Sequence, residues 1–106
     1  MPPDQIQRLF DAVAERRGHE PASSRTAKLL AGGRPKICKK LGEEAVEVVV
    51  DGLRGDREAV ILESADLLYQ LVVLWVHMGV PPEEVWAEMD RRESRYGLAE
   101  KIAKSD

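Results

Sequence analysis

Apolar residues recur along this chain at intervals of three and four, which is the spacing of amphipathic α-helices. Ile6, Leu9 and Val13 show the pattern in the first helix, and Gly18 would end it. The pattern and its stop signals predict helices over about residues 4–17, 25–31, 35–53, 56–78 and 83–97. Apolar and polar residues nowhere alternate with the period of two that half-buried strands show. We therefore expect an all-α fold of four to five helices, with residues 1–106 in a single domain.

The longest apolar segment, LLYQLVVLWVHMGV at 67–80, lies almost entirely in the helix predicted over residues 56–78. Gln70 and His77 interrupt this segment, and it is shorter than the ~20 residues that cross a bilayer, so we expect a core helix rather than a membrane span. Leucine, valine and alanine occupy nearly every side of residues 63–76, and a helix that is apolar all round has to be buried all round. A chain of 106 residues has little material to cover it, which predicts a partner subunit and hence a homo-oligomer.

The composition is that of a soluble globular protein, with 43% hydrophobic residues, 33% charged residues and a net charge of −3. This charge does not indicate a nucleic-acid binder, because such proteins carry basic residues that displace counterions from phosphates. Cys38 is the single cysteine, so no internal disulfide can form, which fits a reducing cytosol. We expect a cytoplasmic protein that binds neither nucleic acid nor membrane, with Cys38 in its core.

Polar side chains form narrow stripes on the two helices that flank the short connection at residues 54–56. The first stripe spans an arc of roughly 80° and comprises Lys36, Lys40, Glu44, Glu47 and Asp51. The second comprises Glu63, Asp66, Gln70 and His77. If the helices form an antiparallel hairpin that aligns the stripes, four carboxylates converge, and they repel unless cations balance them. Oxygen ligands in this number suit Mg²⁺, or Mn²⁺, so we expect a metal site formed by Glu44, Glu47, Glu63 and Asp66.

Glutamates on helices more commonly form solvated faces or salt bridges with residues one turn away, so the alternative to a metal site is an ordinary charged helix surface. Here Lys39 and Lys40 precede Glu43 and Glu44 by four residues, which is the weaker order for such pairs. The lysines also crowd the first turns of the helix, where its dipole disfavours cations. Gly42 then weakens the middle of the same helix. Several departures from local preference at one place favour a functional site.

A metal beside lysines suits the hydrolysis of a phosphoanhydride. The metal would neutralise a triphosphate and activate a water molecule, and Glu44 or Glu47, where not fully committed to metal, could accept its proton. Basic side chains would bind the phosphate oxygens, and Lys40 is the first candidate. The other candidates are Lys36, Arg25, Lys28 and Lys39. Taken singly, each of these residues is an ordinary surface charge.

The motifs EExxE at residues 43–47 and ExxD at 63–66 resemble the signature of the all-α nucleoside triphosphate pyrophosphatases. Within that superfamily, TAKLL, KICKKLGEEAVEVVV and ESADLLYQLVVLW are similar to the phosphoribosyl-ATP pyrophosphatase family of histidine biosynthesis, over about residues 24–92. The resemblance implies an intertwined helical-bundle homo-oligomer, commonly a dimer, with an ATP-derived nucleotide as substrate. It also implies Mg²⁺-dependent cleavage of the α–β anhydride of phosphoribosyl-ATP to phosphoribosyl-AMP and pyrophosphate. The family's metal ligands correspond to Glu44, Glu47, Glu63 and Asp66, with Glu43 in support.

Two residues depart from the family pattern. Arg25 stands where the family has tyrosine in SYTAKL, and Gln70 stands where it has histidine in ADLLYH. Both would then contact substrate in a changed way, which leaves open a housekeeping pyrophosphatase for another nucleoside triphosphate. A third interpretation is a helical dimer that binds nucleotides without catalysis, and the retained carboxylates argue against it.

Overall fold

The computed structural model describes residues 4–96, which form five helices and contain no β-strand, and this confirms the all-α class. A single turn of 3₁₀ helix, Pro21–Ser23, precedes the second of them. The helices are α1 (Gln5–Glu15), α2 (Arg25–Ala31), α3 (Arg34–Arg54), α4 (Arg57–Met78) and α5 (Pro82–Tyr96).

Local capping explains where the helices begin and end. The Ser24 side chain accepts a hydrogen bond of 2.9 Å from the backbone N–H of Ala27 and so caps α2. Asp56 caps α4 in the same way, through the N–H of Ala59 at 3.1 Å. Gly55 ends α3 at a φ of 70°, a left-handed conformation that favours glycine. Because only Gly55 and Asp56 separate α3 from α4, the two helices form the predicted antiparallel hairpin.

The core lies at one end of this hairpin, where α1, α2 and the first turn of α3 pack against the C-terminal half of α4. Its buried apolar residues are Val13, Ala27, Leu29, Ile37, Val72, Val73 and Val76. Trp75 of α4 and Trp86 of α5 pack edge to face, with ring centroids 6.2 Å apart. Cys38 is exposed, so its expected place in the core is wrong. The reason is helix geometry, because one residue beyond buried Ile37 turns the side chain by about 100°.

The other end of the hairpin carries an exposed apolar surface, which we call the hairpin face. Its residues are between 45% and 85% exposed and comprise Val46, Val49, Val50, Leu53, Ile61, Leu62 and Leu68. Within one chain, therefore, α4 is covered on its C-terminal half and not all round. Soluble monomers rarely expose an apolar surface of this extent, so the hairpin face agrees with the expected partner subunit, which stays a prediction.

By length and composition alone, α4 is the one helix within residues 4–96 that could cross a membrane. It has 22 residues, more than the apolar segment on which the sequence argument relied. Core helices of soluble proteins have the same length and composition, so this is weak evidence for a span. Glu63 and Asp66 lie near the middle of α4 and meet a carboxylate of α3, and carboxylates at that depth are costly in lipid.

Candidate active site

Three of the predicted carboxylates converge across the hairpin. One oxygen each from Glu44, Glu63 and Asp66 lies within 4.8 Å of the others. The sequence produces this because α4 carries Glu63 and Asp66 one turn apart on one face, opposite Glu44 of the antiparallel α3. Glu44 and Glu63 are partly buried, and Asp66 is exposed. The cluster therefore lies at the edge of the fold, open to a ligand.

Glu47, the fourth predicted carboxylate, lies outside this group of three, yet it is close enough to Glu44 and Glu63 to raise the pKa of both. It lines a separate cavity of about 240 Å³ together with Val46, Val50, Asp51 and Glu63. Val46 and Val50 belong to the hairpin face. Glu47 therefore stands between the carboxylate cluster and the exposed apolar surface.

Proximity shifts the protonation of two of these acids. The hydrogen bond with the Glu47 carboxyl, followed by burial and by contact with Glu44, raises the pKa of Glu63 to about 7. Burial raises the pKa of Glu44 as well, and the negative charges of Glu47 and Asp66 add to the effect. The cluster thus holds more negative charge than its surroundings balance, and it gains stability from protons or from a bound cation.

Two oxygens in the cluster lack the partner that a bound cation would supply. Oε2 of Glu44 and Oε2 of Glu63 are buried and have no hydrogen-bond partner. Buried carboxylate oxygens normally have a donor or a metal as partner. Hard oxygen ligands suit Mg²⁺ or Mn²⁺, whereas zinc is normally held by histidine or cysteine as well. The residues present therefore fit a magnesium-type ion.

A cavity of about 750 Å³ adjoins the cluster between α2, α3 and α4. This volume is in the range of sites for ligands of nucleotide size. The residues that line it are Arg25, Thr26, Lys28, Leu29, Lys36, Lys40, Glu44, Asp66, Tyr69 and Gln70. Five of the six residues predicted to contact substrate line it, namely Lys36, Lys40, Arg25, Lys28 and Gln70. The sixth, Lys39, does not line the cavity, and neither does Glu43.

Helix geometry separates charge along this cavity. Lys36, Lys40 and Glu44 follow one another at intervals of four, so they share one face of α3. The first turn of α2 adds Arg25 and Lys28 to the cationic end. Within residues 4–96, none of these four basic side chains forms a salt bridge with an acidic residue. They are therefore available to bind the oxygens of an anionic ligand.

Two cavity residues were missed by the sequence analysis. The hydroxyl oxygens of Thr26 and Tyr69 lie 2.5 Å apart in a hydrogen bond that joins α2 to α4. Both residues belong to quoted motifs, TAKLL and ESADLLYQ, but neither carries a charge that would have singled it out. Next to Tyr69, Gln70 is only 9% exposed, and its Oε1 is buried without a hydrogen-bond donor. This acceptor is unsatisfied in the chain alone.

Comparison with known proteins agrees with this geometry. The sequence model of the phosphoribosyl-ATP pyrophosphohydrolase family matches residues 6–93. Phosphoribosyl-ATP pyrophosphatase 2 of Rhodopseudomonas palustris is 59% identical over 102 residues, which cover 96% of this chain and 78% of that protein. The protein of the same name from Bradyrhizobium diazoefficiens is 56% identical over 102 residues, covering 96% and 76%. Phosphoribosyl-ATP pyrophosphatase of Gluconobacter oxydans is 52% identical over 99 residues, covering 93% and 74%. The chain belongs to the phosphoribosyl-ATP pyrophosphohydrolase family.

Proposed function

We propose that this chain hydrolyses the α–β phosphoanhydride of phosphoribosyl-ATP, giving phosphoribosyl-AMP and pyrophosphate for histidine biosynthesis. Family membership supports a hydrolase that acts on a small nucleotide. One observation carries the proposal: three convergent carboxylates lie beside a cavity that is lined by four basic side chains without acidic partners. A triphosphate needs both of these features, a cation to screen its charge and donors to hold its oxygens.

Glu44, Glu63 and Asp66 would bind Mg²⁺, with Mn²⁺ as a substitute. The bound ion would neutralise phosphate charge and make a water molecule easier to deprotonate. Support comes from the two buried carboxylate oxygens without partners and from the raised pKa values of Glu44 and Glu63. Through the ion that they bind, these three side chains would hold the phosphate group to be attacked at the carboxylate end of the cavity.

Glu47 is the carboxylate best suited to accept the proton of the attacking water. It lies outside the group of three, so it would keep an oxygen that is not committed to metal, and it is still close enough to Glu44 and Glu63 to raise their pKa values. A role of Glu47 as a fourth ligand stays a prediction. Glu43, expected to support the site, is exposed and one residue from Glu44.

The basic residues would orient the substrate. Lys40 lies one turn from Glu44 on α3 and so would bind the phosphates next to the metal, while Lys36, Lys28 and Arg25 extend the cationic wall. Holding the triphosphate in one orientation would place its α-phosphate at the carboxylates and align pyrophosphate to leave.

We further propose that the active form is a cytoplasmic homodimer in which two hairpin faces meet. The exposed valine and leucine side chains of α3 and α4 support this, because burial against a second copy would remove them from water. Glu47 lines a cavity with two residues of the hairpin face, so a second copy would also cover that side of the site.

Pyrophosphate release from a panel of nucleotides, with Mg²⁺ and with EDTA, tests the proposal. We expect kcat/KM to be highest for phosphoribosyl-ATP and to vanish with EDTA. Higher kcat/KM for another nucleoside triphosphate would favour a housekeeping pyrophosphatase. Binding without turnover, measured by calorimetry, would make the chain a nucleotide-binding protein. Glu63→Gln is the matched control, since it retains the side-chain volume and removes a charge from the cluster.

A further inference from the structure

Gly32 ends α2, and its backbone does not explain why a glycine stands there. Its φ and ψ are −68° and −18°, which lie in the ordinary helical region that any residue adopts. The next residue is different, because Gly33 has a φ of 88°, where side chains are strained. The reason for glycine at position 32 must therefore lie in what surrounds it.

The space beside Gly32 is occupied by the side chain of Lys36. A Cβ atom added to Gly32 would lie 2.6 Å from Cδ of Lys36 and 3.3 Å from the backbone oxygen of Leu29. Carbon atoms in favourable contact are about 3.5–4.0 Å apart, so the lysine stem and a side chain at position 32 exclude each other. Lys36 therefore passes directly over the Cα of Gly32, and it lines the large cavity.

We infer that Gly32 is a positioning residue, which acts by letting the Lys36 stem lie against the end of α2 so that its ammonium group reaches into the cationic end of the cavity. The inference rests on the proposed function, because it takes the ligand of Lys36 to be a phosphate group. A lysine side chain has four rotatable bonds, and ordering it opposes binding through lost entropy. Contact with a bare Cα removes some of that freedom before the substrate arrives.

The fold itself should tolerate a side chain at position 32. The nearest obstructing atom belongs to the flexible side chain of Lys36, which is exposed and can move aside. The backbone oxygen of Leu29, at 3.3 Å, would have to give by only a few tenths of an ångström. Alanine also suits the helical φ of Gly32. Gly32→Ala should therefore leave the protein folded while it forces Lys36 into another rotamer. A structural role and a positioning role can thus be told apart.

A double-mutant cycle on Gly32 and Lys36 tests the inference. The four proteins are the parent, Gly32→Ala, Lys36→Ala and the double variant, each assayed with phosphoribosyl-ATP and Mg²⁺. Lys36→Ala should raise KM by roughly 10- to 100-fold, which corresponds to the loss of one hydrogen bond to a charged group. Gly32→Ala should raise KM by at least about 3-fold with kcat nearly unchanged, and it should add nothing in the Lys36→Ala background, because partners in contact are not additive.

Gly42→Ala is the matched control. Gly42 is also helical and exposed, but nothing lies within 4 Å of an added Cβ, so its KM should equal the parent's. Melting curves should show both glycine variants folded, at or above the parent's melting temperature.

Three results would overturn the inference: an unchanged KM in Gly32→Ala, an unchanged KM in Lys36→Ala, or equal factors for Gly32→Ala in both backgrounds. If the parent itself shows no turnover, the proposed function fails instead. The same cycle, measured as the Kd for inorganic pyrophosphate by calorimetry, then still decides whether Gly32 acts through Lys36.

Discussion

Leu62→Glu should dissociate the proposed dimer while leaving each subunit folded. Leu62 lies on the hairpin face and is 62% exposed in the single chain, so the subunit's own core loses little when it is replaced. In a symmetric dimer through this face, each protomer would instead bury a carboxylate with no partner supplied. The same substitution is therefore mild for a monomer and severe for a dimer.

The magnitude follows from exposed fractions. Taken together, the seven residues of the hairpin face expose the equivalent of about four complete aliphatic side chains. At roughly 1.5–3 kcal/mol each, covering them contributes roughly 6–12 kcal/mol per protomer as an upper estimate. Two protomers together then offset the roughly 4–15 kcal/mol that association costs in lost freedom.

Leu62 contributes to that total in proportion to its exposed fraction. Losing 62% of a leucine side chain from the interface in two copies removes roughly 2–4 kcal/mol. Desolvating two unpaired carboxylates adds several kcal/mol more. The Kd for dimerisation should therefore rise by at least about 100-fold.

Sedimentation velocity across a concentration series, with circular dichroism on the same samples, measures this. The parent should sediment as a dimer at low micromolar concentration and Leu62→Glu as a folded monomer. Ala12→Glu, on the exposed side of α1, is the control and should remain dimeric. A parent that is a stable, native monomer at low micromolar concentration would refute the reasoning, and so would a Leu62→Glu variant that dimerises like the parent.

Three further predictions concern the site. Glu63→Gln or Asp66→Asn should leave the melting temperature without metal unchanged or higher, because it removes repulsion between carboxylates. Either variant should abolish hydrolysis and remove the rise in melting temperature that Mg²⁺ gives the parent. A lower melting temperature without metal, combined with retained turnover, would contradict the metal site. In EDTA, the raised pKa of Glu63, about 7 against 4.5, means that its folded state binds the extra proton. Its contribution to stability is therefore complete below pH 4.5 and is lost as the pH rises through 7. The melting temperature should fall over that range less steeply in Glu63→Gln. Lys40→Ala should raise KM for the nucleotide and leave the affinity for Mg²⁺, measured by calorimetry, almost unchanged, because an ammonium group cannot bind a metal. An unchanged kcat/KM would show that Lys40 is an ordinary surface charge and does not bind substrate.

The local parts of the structure could be predicted because their causes are local. Ser24 and Asp56 are capping residues by chemistry, and Gly55 ends a helix by its tolerance of positive φ. The meeting of Glu44 with Glu63 followed from helix periodicity and a two-residue connection, since an antiparallel hairpin leaves few ways to align two stripes.

The position of Glu47 could not be predicted in the same way. A step of three residues turns a helix by about 300°, so Glu47 points about 60° away from Glu44 along α3. Whether both side chains reach the same point depends on the angle at which α4 crosses, and side-chain packing sets that angle within a wide scatter. In the structure the crossing brings Glu44 into the cluster of three and leaves Glu47 beside Glu63.

The apolar pattern of α4 did not show what would cover the helix. Leucine and valine are buried equally well in the core of one chain and in an interface between two chains. Residues of α1 and α2, with Ile37 of α3, cover Val72, Val73 and Val76 of α4 and leave Ile61 and Leu62 exposed. Electrostatic interactions within a site are stronger where bulk water is excluded, yet the exposed half of the hairpin is where the carboxylates lie. A second copy over the hairpin face would cover the cavity that Glu47 lines. The same apolar contact would then build the oligomer and close the site, so dissociation by Leu62→Glu should lower kcat even though every carboxylate remains in place.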